Sequence, residues 1–211
     1  MTQPTAPQLA PELTTELTPE FADIPAAHRQ TKYQVRFDWA ADGAAAVAAD
    51  ADIVVWVDAL GAETAEVPEL PGDGAVLTAG FTDAAAVARW ILDEQVRLGR
   101  RAMIAVVAAG DTTPAGSTRF AVEDLLAAGA VVDALAAAGI DFSSPEAAAA
   151  CAAFTGLRGA VAHLLTASVS GQERIAEGAT PAEIAASGRL GSSDAVTVLR
   201  APRQNGAPGA E

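Results

Sequence analysis

The feature that most constrains the fold is the alternation of short apolar runs with longer helix-like segments. Residues 53–57, 75–78 and 103–108 form short, mostly apolar runs, and residues 33–37 alternate polar with apolar side chains. Such runs predict strands, and connections long enough for a helix favour parallel pairing with right-handed crossovers. The pattern therefore predicts an α/β fold with a mostly parallel sheet of about five strands, helices on both faces, and residues 197–199 as an edge strand.

Helix boundaries are indicated by capping residues and glycines. Asp83 is a candidate N-cap for a helix that ends near Gly99, and a second helix is expected over residues 120–138. Ser144 and Thr180 each precede a proline, and this pairing is typical of an N-cap followed by the first helical residue. Three of these four helices lie after the last buried strand run.

The chain of 211 residues is long enough for one domain and short for two. Residues 1–30 contain five prolines among polar side chains and are expected to form a flexible tail. Residues 31–200 are expected to form the single domain, and residues 201–211 a second flexible tail.

The charge of the chain limits its partners. Thirteen basic and 27 acidic residues give a net charge of −14, which repels nucleic acid and anionic membrane surfaces. We therefore expect no nucleic-acid partner and no membrane partner. The same field repels a small anionic substrate, so a phosphate site in this chain requires a divalent cation or a local arginine.

The single cysteine, Cys151, excludes an internal disulfide, and the N-terminus has no basic start followed by an apolar run. These features predict a cytoplasmic protein. Two histidines and one cysteine make a structural zinc site improbable, and the sequence contains no Gly-x-Gly-x-x-Gly motif for a dinucleotide.

Carboxylates follow the predicted strands at the edge where open parallel sheets bind ligands. Asp38, Asp58 and Asp111 come after three strands, and Glu123 and Asp124 fall in the first turn of the next helix. Carboxylate oxygens are the ligands that Mg²⁺ prefers, and one or two of them suffice. Each carboxylate can instead complement the positive end of a helix. The sequence leaves both interpretations open, the metal ligand and the helix-terminal charge.

The segment from Gly110 to Arg119 joins a predicted buried strand to a helix and is rich in small and hydroxyl residues. Backbone N–H groups before a helix, together with the Arg119 guanidinium, can cradle phosphate or sulfonate oxygens. The alternative is a plain flexible connection.

Residues 104–110 and 120–130 resemble the 2-phosphosulfolactate phosphatase family, also called ComB-like proteins. They match its strand, its Ala-Gly turn and its helix with an acidic pair and a terminal Ala-Gly. Residues 170–178 are similar to its closing helices, and the resemblance covers roughly residues 35–200 in the same order.

The resemblance implies a Mg²⁺-dependent hydrolase that removes phosphate from 2-phosphosulfolactate, or from a similar small anionic phosphorylated metabolite, on the route to coenzyme M. It implies catalytic roles for Asp38, Glu123 and Asp124, with Asp38 and Asp124 as metal ligands. The substrate-binding candidates are Arg36, Gly110, Ser117, Thr118 and Arg119.

Two segments differ from the family pattern. Residues 39–43 stand where the family has an Arg-Ala-Thr/Ser run, and residues 61–74 stand where it has a Thr-Asn-Gly-Thr motif. The alternative hypothesis is therefore a non-catalytic relative that binds a small molecule or a protein. Small-residue segments 127–130 and 147–150 can pack inside the domain or against a second copy, so a homo-oligomer is also left open.

Overall fold

The computed structural model describes residues 24–61 and 67–202. The strands in chain order are β1 (Val35–Trp39), β2 (Ile53–Val57), β3 (Ala75–Ala79), β4 (Ile104–Ala108), β5 (Asp111–Thr112), β6 (Thr118–Arg119) and β7 (Thr197–Arg200). The α-helices are α1 (Ala40–Val47), α2 (Ala84–Leu98), α3 (Val122–Ala137), α4 (Pro145–Leu157), α5 (Val161–Ala167), α6 (Val169–Ala176) and α7 (Pro181–Ser187).

The main sheet has the strand order β1-β4-β2-β3-β7. The first four strands are parallel, and β7 pairs antiparallel with β3 at one edge. The predicted fold class and the five predicted strands are confirmed, with bounds shifted by one or two residues. The short strands β5 and β6 form a separate antiparallel hairpin that the sequence analysis did not predict.

The predicted helix boundaries are close to those observed. The Ser144 hydroxyl accepts a hydrogen bond from the Ala147 amide, and Thr180 forms a complete capping box with Glu183. Asp83 is the N-cap residue of α2, but its carboxylate accepts from the Gly80 amide at 2.8 Å and makes no bond to the helix. The helix α1 was not predicted.

Helices cover both faces of the sheet, but unequally. Helices α2, α3, α4, α5 and α7 contribute to the hydrophobic core on one face. On the other face, α1 and Leu70 cover Val54, Trp56 and Val107. The central strand β2 is buried along its whole length, as expected for a strand between two layers.

The small-residue segments of α3 and α4 pack against each other inside the domain. A Cβ atom on Gly129 would lie 2.2 Å from the Ala150 carbonyl oxygen and 2.7 Å from the Phe154 Cβ. Ala147 and Ala150 are buried, while Ala148 and Ala149 are exposed. The buried alanines of these segments therefore pack inside the domain, which was one of the two alternatives. Packing against a second copy, as a homo-oligomer, remains a prediction.

Residues 24–30, which the sequence analysis places in the N-terminal tail, contact the domain. The Gln30 side chain donates to the Phe37 carbonyl at 2.8 Å and accepts from the Phe37 amide at 3.1 Å. Ile24 packs against the core on the α1 face. Most of the predicted tail, residues 1–23, and residues 203–211 of the second tail lie outside the described residues.

One helical stretch of the described residues, Pro145–Ala167, is long and apolar enough to cross a membrane by length and composition alone. Only 22% of the most apolar part of this stretch is buried inside the protein, but Phe154 and Val161 pack into the core. A single stretch of this kind is weak evidence for a membrane span.

Candidate functional site

Two cavities open at the carboxyl end of the sheet, beside the first turn of α3. Glu123 and Asp124 line the first, and the next residue, Leu125, lines the second. We call the first the acidic cavity, and its volume is about 240 Å³. The acidic cavity is lined by Asp58, Leu60, Gly61, Gly110, Asp111, Glu123, Asp124, Ser170, Glu173, Arg174 and Glu177.

Asp124 connects the ends of two strands. Its Oδ1 atom accepts a hydrogen bond from the Ala59 amide at 2.8 Å, and its Oδ2 atom accepts one from the Gly110 amide at 2.9 Å. These amides lie just beyond β2 and β4. Asp124 is only 2% exposed, so it holds both strand ends around the acidic cavity.

The carboxylates of the acidic cavity disfavour one another's charge. Burial raises the pKa of Asp124 to about 8, and the charges of Asp58 and Glu123 add to this rise against the two amide bonds. Burial also raises the pKa of Asp58, with further contributions from Glu123 and Asp111. Perturbed carboxyl groups gathered in a cleft are typical of functional sites.

Glu123 differs from its neighbours because its side chain is not used to hold the backbone. It is 2% exposed, and among the described residues no hydrogen bond is assigned to its carboxylate. Glu123 interacts electrostatically with Asp58, Asp124 and Arg119. It is therefore the carboxylate of this cavity best placed to act on a ligand.

The predicted anion cradle at residues 110–119 is a tight hairpin, with most of its donors already used. The Gly110 amide donates to Asp124, and the Thr113 amide donates to the Ser117 carbonyl at 2.8 Å. The Ser117 amide and hydroxyl both bond to the Thr113 hydroxyl. Gly110 and Ser117 therefore do not present the free amides that the sequence analysis expected.

Arg119 lies at the edge of the acidic cavity, where its guanidinium donates to the Phe120 carbonyl at 3.3 Å and contacts three further groups. Its guanidinium donates to the Asp111 carboxylate and to the Ser170 hydroxyl at 3.1 Å, and it lies 4.0 Å from Glu173. The Arg119 hydrogen bond holds the pKa of Asp111 below its usual range. The side chain of Arg119 is 27% exposed, so it remains accessible to a ligand.

The second cavity, which we call the Trp39 cavity, contains Asp38 and has a volume of about 540 Å³. It is lined by Ala27, His28, Gln30, Phe37, Asp38, Trp39, Leu125, Glu146, Ala149 and Ala150. A hollow of about 520 Å³ adjoins it and shares His28, Asp38 and Trp39; Thr118 lines this hollow. The predicted metal pair of Asp38 and Asp124 is therefore divided between two cavities.

Arg36 lies in neither cavity. It is 1% exposed and points beneath α1, where it donates to the Val47 carbonyl at 3.1 Å and to Asp50 at 2.5 Å. Its position in the middle of β1 turns its side chain to the α1 face. The predicted substrate-binding role of Arg36 is not supported, because its donors hold α1 to the sheet.

The acidic cavity has a donor set that suits a divalent cation. Asp58 and Glu123 supply hard carboxylate oxygens, and a bound cation would favour the charged forms of Asp58 and Asp124, whose pKa values burial and then mutual repulsion raise. Within residues 24–61 and 67–202, no group of three or more His, Cys, Asp or Glu side chains is arranged as a ligand set. One or two protein carboxylates with water are the usual environment of Mg²⁺.

The fold and this cavity define an α/β protein with an acidic cavity at the carboxyl edge of its sheet. The model of the 2-phosphosulpholactate phosphatase family matches residues 64–202. The chain therefore belongs to this family, and the resemblance drawn from the sequence is confirmed. No curated protein shows a significant match to the chain.

The acidic cavity includes residues that the sequence analysis did not place in a site. Ser170, Glu173 and Arg174 reach it from α6, which follows Asp124 by more than forty residues in the chain. The signal that could have found them was the resemblance of residues 170–178 to the closing helices of the family. Asp58 is among the strand-end carboxylates that the sequence offers as Mg²⁺ ligands, and the family resemblance implies no individual role for it.

Proposed function

We propose that this chain is a phosphatase that hydrolyses a phosphomonoester of a small anionic metabolite in the acidic cavity, with Mg²⁺ as cofactor. The family membership supports a phosphatase, and the matched segment includes Asp111, Glu123, Asp124 and Arg174 of this cavity. The observation that carries the proposal is the gathering of six carboxylates in one cavity, which Arg174 lines and Arg119 borders.

Asp58 and Glu123 are the residues that would hold the cation, and Asp124 keeps the ends of β2 and β4 in place around them. A bound Mg²⁺ offsets the charge of the phosphoryl group and lowers the pKa of a bound water. Arg119 and Arg174 are placed to pair with phosphate oxygens. The Ser170 hydroxyl of α6 accepts a hydrogen bond from Arg119 of the hairpin.

The substrate class is that of the family, 2-phosphosulfolactate or a phosphorylated acid of similar size. The acidic cavity, with a volume of about 240 Å³, is of a size that suits a small phosphorylated acid. The acidic walls exclude a free anion unless a cation is bound, because the chain has a net charge of −14.

The test is phosphate release from a panel of small phosphorylated acids, including phosphosulfolactate and phospholactate, with Mg²⁺ and with a chelator. We expect turnover of at least one ester that disappears when the metal is removed. Turnover that is equal with and without metal would exclude the cation from the reaction.

A second candidate is a non-catalytic relative, favoured by the ion pair that already engages Arg119 with Asp111. This candidate predicts binding of a phosphorylated acid without release of phosphate. Calorimetry with the same panel separates the two, since heat of binding without turnover supports only the binding protein.

A further inference from the structure

The Trp39 cavity combines an acidic rim with an aromatic and aliphatic wall. Asp38 and Glu146 are its two carboxylates, and Phe37, Trp39 and Leu125 supply much of the apolar surface. Its volume of about 540 Å³ falls in the range of small-molecule sites. The proposed phosphatase reaction uses none of these five side chains.

Neither carboxylate forms a salt bridge among the residues that the structure describes, although His28 lines the same cavity. The ion pairs of the described chain involve other acids, and the only group bonded to the Asp38 carboxylate is the Trp39 amide, at 2.8 Å. Burial raises the pKa of Asp38, the Trp39 amide opposes this rise, and the charge of Glu146 adds to it while that of His28 reduces it. Negative charge in this cavity is therefore not compensated by arginine or lysine.

The aromatic wall is held in a fixed arrangement. The Trp39 ring packs edge-on against Phe37 at 5.7 Å between ring centroids and lies 5.2 Å from the Phe120 ring. Ala40, the next residue, adopts a left-handed backbone with φ of 53°, which turns the chain from β1 directly into α1. The indole and the Asp38 carboxylate are thereby both presented to the same cavity.

These features disfavour two other common classes of ligand, anions and metal ions. No arginine or lysine lines the cavity, so a phosphate or carboxylate ligand would meet uncompensated negative charge. A bare metal ion would pair with the carboxylates but would leave the apolar wall of Phe37, Trp39 and Leu125 without a contact. A ligand with a positive charge and an apolar body satisfies both the rim and the wall.

We propose that the Trp39 cavity is a binding site for a small organic cation, an ammonium group on an apolar body, with Asp38 and Glu146 pairing with the ammonium and Trp39 contacting the apolar part. Contact with the indole removes the apolar part of the ligand from water, and this gain adds to the attraction between the ammonium and the two carboxylates. The site is separate from the acidic cavity, so it can be tested without any assay of phosphatase activity.

The probe is 2-phenylethylammonium, and its matched control is 2-phenylethanol, which has similar shape and no charge. We expect the amine to bind the full chain with a dissociation constant on the order of 1 mM, measured by calorimetry. The double variant Asp38→Asn/Glu146→Gln should weaken amine binding by about tenfold or more. Asn at position 38 retains the oxygen that accepts from the Trp39 amide.

Asp141→Asn is the control variant, because Asp141 is an exposed acid in the segment before α4 and does not line the cavity. It should bind the amine as the natural chain does. The proposal is overturned if the alcohol binds as tightly as the amine, if the double variant binds the amine unchanged while its thermal unfolding is normal, or if no amine binding is detected. Glu123→Gln should leave amine binding unchanged, whether or not the phosphatase proposal holds.

Discussion

The acidic cavity and the Trp39 cavity lie beside the same turn of α3 but surround their carboxylates differently. In the acidic cavity, Asp124 accepts two backbone amides, and Arg119 lies at the edge. In the Trp39 cavity, Asp38 accepts one amide and faces an apolar wall. The chemistry of an aspartate near a strand end is therefore set by residues from distant segments of the chain.

Those distant segments are α6 for the acidic cavity and α4 for the Trp39 cavity. Helix α6 brings Ser170 and Arg174 to the first cavity, and α4 brings Glu146 and Ala150 to the second. The first cavity therefore combines both signs of charge, whereas the second combines negative charge with apolar surface. Four substitutions test this division, and they are ordered by the size of the expected effect.

Glu123→Gln should have the largest effect and should act on the acidic cavity alone. It removes a buried negative charge without breaking a bond to the backbone, so the fold should be retained. We expect metal-dependent phosphate release to fall by roughly 100-fold or more. Asp141→Asn serves as the control, and a Glu123→Gln protein with normal turnover would remove Glu123 from the reaction.

Asp124→Asn should change how stability depends on pH. The folded pKa of Asp124, about 8, lies above its ordinary value of 3.8, so the folded protein retains a proton that the unfolded chain has lost. This group therefore favours the folded state less as the pH rises from about 4 to about 8, by up to several kcal/mol.

The measurement is urea unfolding at about pH 5 and about pH 8 in the presence of a chelator. Between the two pH values, the free energy of unfolding should fall more in the natural chain than in the variant. At both pH values the variant should be less stable than the natural chain, because Asn cannot accept hydrogen bonds from both amides. Equal losses in the two proteins would show that Asp124 does not carry this proton.

Gly129→Ala should lower the free energy of unfolding by about 2 kcal/mol, because the new methyl group would collide with Ala150 and Phe154. The matched control is Gly156→Ala on α4, where an added Cβ meets nothing within 4 Å and the fold should be as stable or slightly more stable. Chemical unfolding of both variants measures the difference. Ala150 also lines the Trp39 cavity. In Gly129→Ala, amine binding should therefore be reduced by a larger factor than the rate of phosphate release.

Asp38→Asn should have the smallest effect on phosphate release, within about threefold of the natural chain, since its side chain lines the other cavity. Steady-state turnover with the best ester of the panel measures it. The family resemblance implies the opposite result, a catalytic role for Asp38. Loss of turnover in this variant would mean that the two cavities act as one site.

Much of the fold could be predicted from the sequence because its signals are local. The apolar run of β2 and the caps at Ser144 and Thr180 depend on adjacent residues. The helix α1 escaped prediction because it follows β1 without a loop, through the left-handed backbone of Ala40. The hairpin of residues 111–119 escaped prediction because its strands are only two residues long.

The candidate site could be predicted only in part. The sequence indicated that Asp58, Asp111, Glu123 and Asp124 would lie at one edge, and the structure places all four in the acidic cavity. It could not show that Asp38 would be separated from them, because the strand order places β4 between β1 and β2. Nor could it show that Arg36 would be buried under α1.

Local sequence signals were enough for the α/β class, the caps at Ser144 and Thr180, the family and the excess of negative charge, because each follows from composition or from neighbouring residues. Tertiary packing sets which carboxylates share a cavity, which amides are already bonded and which arginine is accessible. Strand order and helix packing bring together residues far apart in the chain, and no local pattern records these distances. The surroundings of a carboxylate then set its pKa and its partners, and therefore its chemistry.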